Sequence, residues 1–168
     1  IIAIRGESGC GKTTLLRMIA GLDKKYSGEI HKDSSKISYV FQDACLLPSS
    51  NALENVALVL GKNPKANDFA KDWLIRLGLQ DDLYTYPDEM SGGMKKRVSI
   101  ARALAYDASI ILLDEPFNGL DKGMVEKMRR VLQDEKNRGT AIFMASHNEK
   151  DIESLCDRVY EIDNGKLM

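Results

Sequence analysis

Ile1-Ile2-Ala3-Ile4-Arg5-Gly6-Glu7-Ser8-Gly9-Cys10-Gly11-Lys12-Thr13-Thr14 is the stretch whose reading decides the fold. An apolar run of strand length passes straight into glycines at 6, 9 and 11, after which Leu15, Met18, Ile19 and Leu22 recur at helical spacing towards Gly21 and Asp23. The order is strand, glycine turn, helix. The spacing Gly6-x-x-x-x-Gly11-Lys12-Thr13 has a chemical reading in that context. Consecutive backbone N–H groups converge on phosphate oxygens only where glycines permit unusual dihedrals and put no Cβ in the way. A helix beginning near Lys12 adds the positive end of its dipole, Lys12 brings a point charge to the terminal phosphates, and the Thr13 hydroxyl is a ligand for Mg²⁺. Gly6, Ser8, Gly9, Cys10, Gly11, Lys12, Thr13 and Thr14 are therefore expected to bind a nucleotide through its phosphates, as the loop known as Walker A.

Outward from this loop, Ser27–Ile30 and Ile37–Phe41 read as short strands, the second running towards a turn at Pro48-Ser49-Ser50. From about residue 51 the pattern turns helical. Ala52–Leu60 is one helix; Lys65–Leu77 is a second, with Phe69, Trp73 and Leu77 four apart as its core stripe; a third follows Ser91-Gly92-Gly93 and carries Val98, Ala101 and Ala105. Strand patterns return at Ile110–Asp114, Thr140–Ala145 and Arg158–Ile162. Between them lie a helix capped by Asp121 and stopped at Gly139, and a short helix with Ile152, Leu155 and Cys156. Alternating strands and helices predict an α/β fold of the P-loop NTPase class: a mainly parallel sheet flanked by helices, with an inserted helical subdomain. The expected division is a catalytic core at about 1–48 and 107–168 and a helical subdomain at about 49–106, within one nucleotide-binding domain.

Ile110-Ile111-Leu112-Leu113-Asp114-Glu115 delivers two adjacent carboxylates to the end of a buried strand, the sheet edge where open α/β folds bind ligands. Asp114 suits a Mg²⁺ site in the Walker B manner, and Glu115, directed the other way, suits a general base for an attacking water. The composition limits other functions. The 168 residues make room for about one domain. With 24 Lys+Arg against 25 Asp+Glu the net charge is −1, which leaves no summed positive field for nucleic acid, so no nucleic-acid partner is expected. Lys95-Lys96-Arg97 reads as a solvated helix face. No apolar run approaches the ~18–20 residues of a membrane span. Cys10, Cys45 and Cys156 form neither a close pair nor an even set, which points to reduced thiols and a cytosolic setting.

The remaining motifs make the chain resemble the ATP-binding cassette (ABC) ATPases, because they follow in that family's order across nearly the whole length. Phe41-Gln42-Asp43 resembles the Q-loop, Glu89-Met90-Ser91-Gly92-Gly93-Met94 the signature motif, Asn118-Gly119-Leu120-Asp121 the D-loop, and Ala145-Ser146-His147 the switch-histidine segment. The signature is the specific element, since many NTPases carry Walker motifs. Tyr39-Val40-Phe41-Gln42, Leu46-Leu47-Pro48 and Met94, where many relatives have Gln, are most similar to the ATPase subunits of nitrate/sulfonate/taurine-type importers.

The resemblance implies an ATP-hydrolysing subunit that uses Mg²⁺ held through Thr13, Gln42 and Asp114, with Glu115, His147 and Gln42 as the catalytic set. It implies a second ATPase subunit packed head to tail, so that ATP lies between one chain's Gly6–Thr13 and the partner's Ser91, Gly92 and Gly93, with Asp121 in the D-loop. It further implies separate transmembrane permease subunits and a cytoplasmic position on the inner face of the membrane. The same motifs also fit a soluble ABC-type ATPase acting on DNA or ribosomes, which usually carries coiled-coil insertions or a second cassette, or a nucleotide-binding fragment without turnover. Members of the family also stack an aromatic residue on adenine from a position ahead of the Walker strand. Only five residues precede Gly6, so the expectation is either a fragment of a longer protein or a reduced variant that recognises the base otherwise.

Overall fold

The computed structural model describes residues 1–32, 36–163 and 166–167. Six strands form one sheet in the order β2-β3-β4-β1-β5-β6. They are β1 (Ile2–Arg5), β2 (Ile37–Val40), β3 (Ile110–Asp114), β4 (Ala141–Ala145), β5 (Arg158–Asp163) and β6 (Lys166–Leu167). The first five run parallel; β6 turns back antiparallel on β5. The helices are α1 (Lys12–Ala20), α2 (Ala52–Ala57), α3 (Ala66–Arg76), α4 (Gly92–Ala105), α5 (Lys122–Asn137) and α6 (Glu149–Leu155).

Both faces of the sheet are covered, which is why its central strands read as unbroken apolar runs rather than as alternation. Ile111 and Leu113 of β3, Ile142 and Met144 of β4 and Ala3 of β1 face a large core shared with α2 to α6. The intervening Leu112, Ala145 and Ile4 face the other way, onto Leu16 of α1. Helices α2, α3 and α4 pack on one another over that larger core. Asn51 starts α2 with a capping box: its side chain accepts from the Glu54 N–H, and the Glu54 carboxylate accepts from the Asn51 N–H.

Three expectations fail. Ser27–Ile30 is not a strand; Ser27 and Gly28 form a bend with Gly28 at φ 100°, and residues 27–29 are solvent-exposed. An extended segment persists only where a neighbour takes up its backbone groups, and none of the described strands pairs with residues 27–30. Phe69 is not core, being 47% exposed. Of the expected stripe only Leu77 is fully buried; the buried residues before it are Ala70 and Leu74, each one residue round the helix from Phe69 and Trp73, and Trp73 lies on the margin of the core with Arg76 stacked over its ring at 4.9 Å. Lys95-Lys96-Arg97 is not a solvated face either: Lys96 is buried, and Arg97 donates to the carbonyls of Leu77 and Gly78 at 3.2 and 2.8 Å, tying α4 to the end of α3. Smaller differences lie at element ends: α2 gives way to a 3₁₀ turn at Leu58–Leu60, β4 begins after Thr140, and α6 ends before Cys156.

Candidate functional site

Three strand ends are brought level by the sheet register. Ile4 and Asp114 both stand opposite Ala145, and the ladder continues one residue beyond the strands, with Ser146 N–H donating to the Ile4 carbonyl and Glu115 N–H to the Ala145 carbonyl. The turns that follow β1, β3 and β4 therefore open on the same edge. There they line a cleft of about 770 Å³, walled by Ser8, Gly9, Gly11, Lys12, Thr13 and Thr14 from the first turn, Asp114, Glu115 and Asn118 from the second, His147 from the third, and Gln42 beyond β2.

The glycine turn has the shape its chemistry requires. Gly11, the N-cap of α1, has φ 111°, and no side chain caps that helix, so its first N–H groups have no side-chain acceptor. A Cβ on Gly6 would lie 2.6 Å from the Ile162 carbonyl oxygen, which excludes any larger residue. Lys12 is 8% exposed and donates its ammonium to the carbonyls of Gly6 and Glu7 at 2.7 and 2.9 Å, within the same turn. Gly6 and Cys10 stand behind the cleft rather than on its wall; Cys10 packs, half-buried, against the smaller core.

The acidic strand end divides into two roles. Asp114 is 2% exposed and accepts from the Tyr39 hydroxyl at 3.3 Å. Burial, reinforced by the charge of Asp114, pushes the Tyr39 hydroxyl well above the usual tyrosine range and keeps it a donor. Glu115 turns away from the strand direction through a left-handed backbone conformation, φ 48°, and its Oε1 lies 2.8 Å from Nδ1 of His147. A carboxylate held by an imidazole at the mouth of a phosphate-shaped cleft is equipped to take a proton from water. Thr13, Gln42 and Asp114 add three oxygen-bearing side chains to the cleft lining, while among the described residues no group of three or more His, Cys, Asp or Glu could hold a metal. Such a donor set fits a hard cation that draws part of its shell from water and phosphate, as Mg²⁺ does.

Ser91, Gly92 and Gly93 do not line this cleft. Ser91 caps α4, its hydroxyl accepting from the Met94 N–H at 3.2 Å, and both Ser91 and Gly92 are exposed. Asp121 caps α5 in the same manner, accepting from Met124 N–H at 2.9 Å. The two turns touch: a Cβ on Gly93 would lie 3.2 Å from the Gly119 carbonyl oxygen.

An ABC transporter family model matches residues 1–118. The chain belongs to the ABC transporter family. Its relatives include the aliphatic sulfonates import ATP-binding protein SsuB of Albidiferax ferrireducens, 38% identical over 99% of this chain, and that of Bacillus thuringiensis subsp. konkukian, 40% identical over 85%. This chain spans 62% and 61% of the length of those two proteins. Among solved structures, the ABC cassette MJ0796 superposes in a dimeric post-hydrolysis state with ADP and Pi at a TM-score of 0.92, with 30% identity over 99% of this chain and 82% of that one. A second dimeric structure of the same bacterial ABC transporter cassette gives 0.93. The parallel sheet with helices on both faces is thus the ABC cassette fold, as the motif order implied.

Two residues at the site escaped the reading of the sequence. Tyr39 stands in a motif with no local mark of a site residue, and its place opposite Leu112 in the β2–β3 register is what brings its hydroxyl to Asp114. Lys96 carried a signal that charge obscured: it stands four residues before Ile100, on the stripe of α4 that is buried.

Proposed function

We propose that the chain is the ATP-binding and ATP-hydrolysing part of an ABC importer, working as a head-to-tail pair on separate membrane-spanning permease subunits at the cytoplasmic face. The observation that carries this reading is the convergence of the uncapped start of α1, the buried Lys12 and the Glu115–His147 pair on one cleft. The kinship with sulfonate-import ATP-binding proteins supports an importer, and the exposed Ser91–Gly92 start of α4, which lies away from its own cleft, supports a second copy as the partner that uses it. No helix among the described residues is long and apolar enough to cross a membrane.

In the proposed reaction, ATP enters with its phosphates against the N–H groups of residues 9–14. Lys12 exchanges the loop carbonyls for phosphate oxygens, gaining charge-assisted hydrogen bonds. Thr13, Asp114 and Gln42 would hold Mg²⁺, which when bound neutralises charge on the terminal phosphates. Tyr39 orients Asp114 through its hydroxyl. Glu115 accepts a proton from the attacking water as the bond to ADP breaks and phosphate leaves. His147 holds that carboxylate through Nδ1 and stands at the γ-phosphate end. In the pair, the partner's signature turn closes over the nucleotide, and loss of the γ-phosphate lets the two copies part.

Phosphate release from MgATP by the purified chain tests this reading. We expect a specific rate that rises with protein concentration, as two copies assemble each site. Absence of release would overturn hydrolysis, and a specific rate independent of concentration would overturn the shared site.

A further inference from the structure

Lysine 96 sits where an ammonium is expensive to place. It lies on α4, five residues after Ser91, is 5% exposed, and donates to the carbonyls of Phe41 at 3.1 Å and Gln42 at 2.8 Å. Burial pulls its ammonium below the ordinary lysine range, and the nearby carboxylates of Asp114, Asp43 and Glu115 pull in the opposite direction. Arg102, further along the same helix, donates to the carbonyls of Ala44 and Cys45 at 3.2 and 3.0 Å. Two cations of one helix thus hold four carbonyls of the segment that follows β2, the segment that carries Gln42 to the cleft wall.

Of these contacts, the one made by Lys96 bears on chemistry. It grips the backbone of Gln42 itself, and it belongs to the helix that starts at Ser91–Gly93, of which Ser91 and Gly92 are exposed. A helix is stiff over five residues, about 7–8 Å of rise, so a displacement of its start is transmitted to Lys96 with little loss. A hydrogen-bonded ammonium at the other end passes that displacement to the Gln42 main chain.

We propose that Lys96 is a positioning residue that ties Gln42 to the signature helix, so that engagement of Ser91–Gly93 sets the Gln42 side chain in the cleft. This rests on the reading of the chain as an ATPase.

Two variants of the full chain separate the tether from a simple core role. Lys96→Met keeps the apolar stem and removes the donors; Lys96→Gln keeps two N–H donors and removes the charge. Lys96→Met is expected to lower kcat about tenfold with KM for MgATP within about twofold, the mark of a misplaced group rather than of lost binding. It is also expected to raise amide hydrogen exchange across residues 41–45 several-fold. Lys96→Gln should recover most of both. Unchanged rate and exchange in Lys96→Met would overturn the tether, as would a Lys96→Gln variant that restores the exchange pattern but not the rate, which would make the charge the active element. If the wild-type chain releases no phosphate, the ATPase reading falls on its own, and the exchange arm still decides whether Lys96 holds the segment.

Discussion

Two helix starts in this molecule are rich in glycine and serine, and they are built in opposite ways. At α1, Gly11 occupies the N-cap in a left-handed conformation, no side chain caps the helix, and the nearest cation, Lys12, is folded over the turn's own carbonyls. At α4, Ser91 occupies the N-cap in an extended conformation and satisfies the Met94 N–H with its own hydroxyl. An uncapped start keeps its N–H groups for an incoming anion, and the enclosing turn folds around it from the same chain. A capped start is stable by itself and exposed, so it is a surface that acquires a ligand only when another surface is brought to it. The proposed pairing of two copies follows from this difference.

Lys12→Ala attacks the first start directly. Removing the cation from a desolvated phosphate contact should weaken MgATP binding by about 10³-fold or more, measured by titration calorimetry, and unchanged affinity would remove the distinction between the two starts. Glu115→Gln tests the chemistry beside it. Loss of the proton acceptor should slow steady-state phosphate release by about 10²-fold while the ATP-bound pair accumulates, visible by light scattering; full turnover would transfer the base to another residue.

Ser91→Ala probes the second start. The lost cap should cost about 1 kcal/mol, roughly 2–4 °C in Tm for a chain of this size, with affinity of a single chain for MgATP unchanged in calorimetry and ATP-dependent pairing weakened. A fall in single-chain affinity would mean that α4 reaches its own cleft. The smallest effect lies away from both starts, where Glu135 of α5 lines a crevice with Trp73 and Arg76 of α3. Glu135 is 6% exposed, and burial raises its pKa despite the pairing of Arg138 with it at 2.9 Å. A carboxylate with a raised folded-state pKa binds its proton more tightly when folded, so its contribution is favourable in acid and is lost as pH rises through that pKa. Glu135→Gln should therefore be more stable than wild type at pH 7 in thermal melts, with the gap closing as the pH falls into the ordinary carboxylate range. A gap that widened in acid would reverse the assignment.

The comparison also marks how far the sequence could be read. The start of α1 was legible because its meaning is local: glycine spacing, a lysine and a threonine in consecutive positions specify one backbone geometry. Ile110–Asp114 was legible for a related reason, since burial on both faces leaves an unbroken apolar run. Asp121 and Ser91 were recognisable as helix starts by composition alone. Ser27–Ile30 was misread because a strand depends on a neighbour that takes up its backbone groups, and none of the described strands pairs with it. Phe69 was misread because two stripes of α3 differ by one residue, about 100° of rotation, and only the packing of α2 and α4 selects between them. Lys96 was misread because charge is a reliable sign of exposure only where no backbone carbonyls wait inside; Phe41 and Gln42 supply them from more than fifty residues away. The role of Tyr39 likewise depends on a strand register that no periodicity encodes.

The strand order has one more consequence. β4 lies between β1 and β3, so the phosphate turn and the Glu115 carboxylate rise from strands two places apart. Neighbouring strands are spaced about 4.8 Å, which makes the sheet a gauge block of roughly 9–10 Å between the glycine turn after β1 and the acidic end of β3. Main-chain hydrogen bonds set that dimension, including those from Ser146 to Ile4 and from Glu115 to Ala145. Side chains on either element can therefore be exchanged without recalibrating the span, and chemistry at this edge is open to revision while its scale is not.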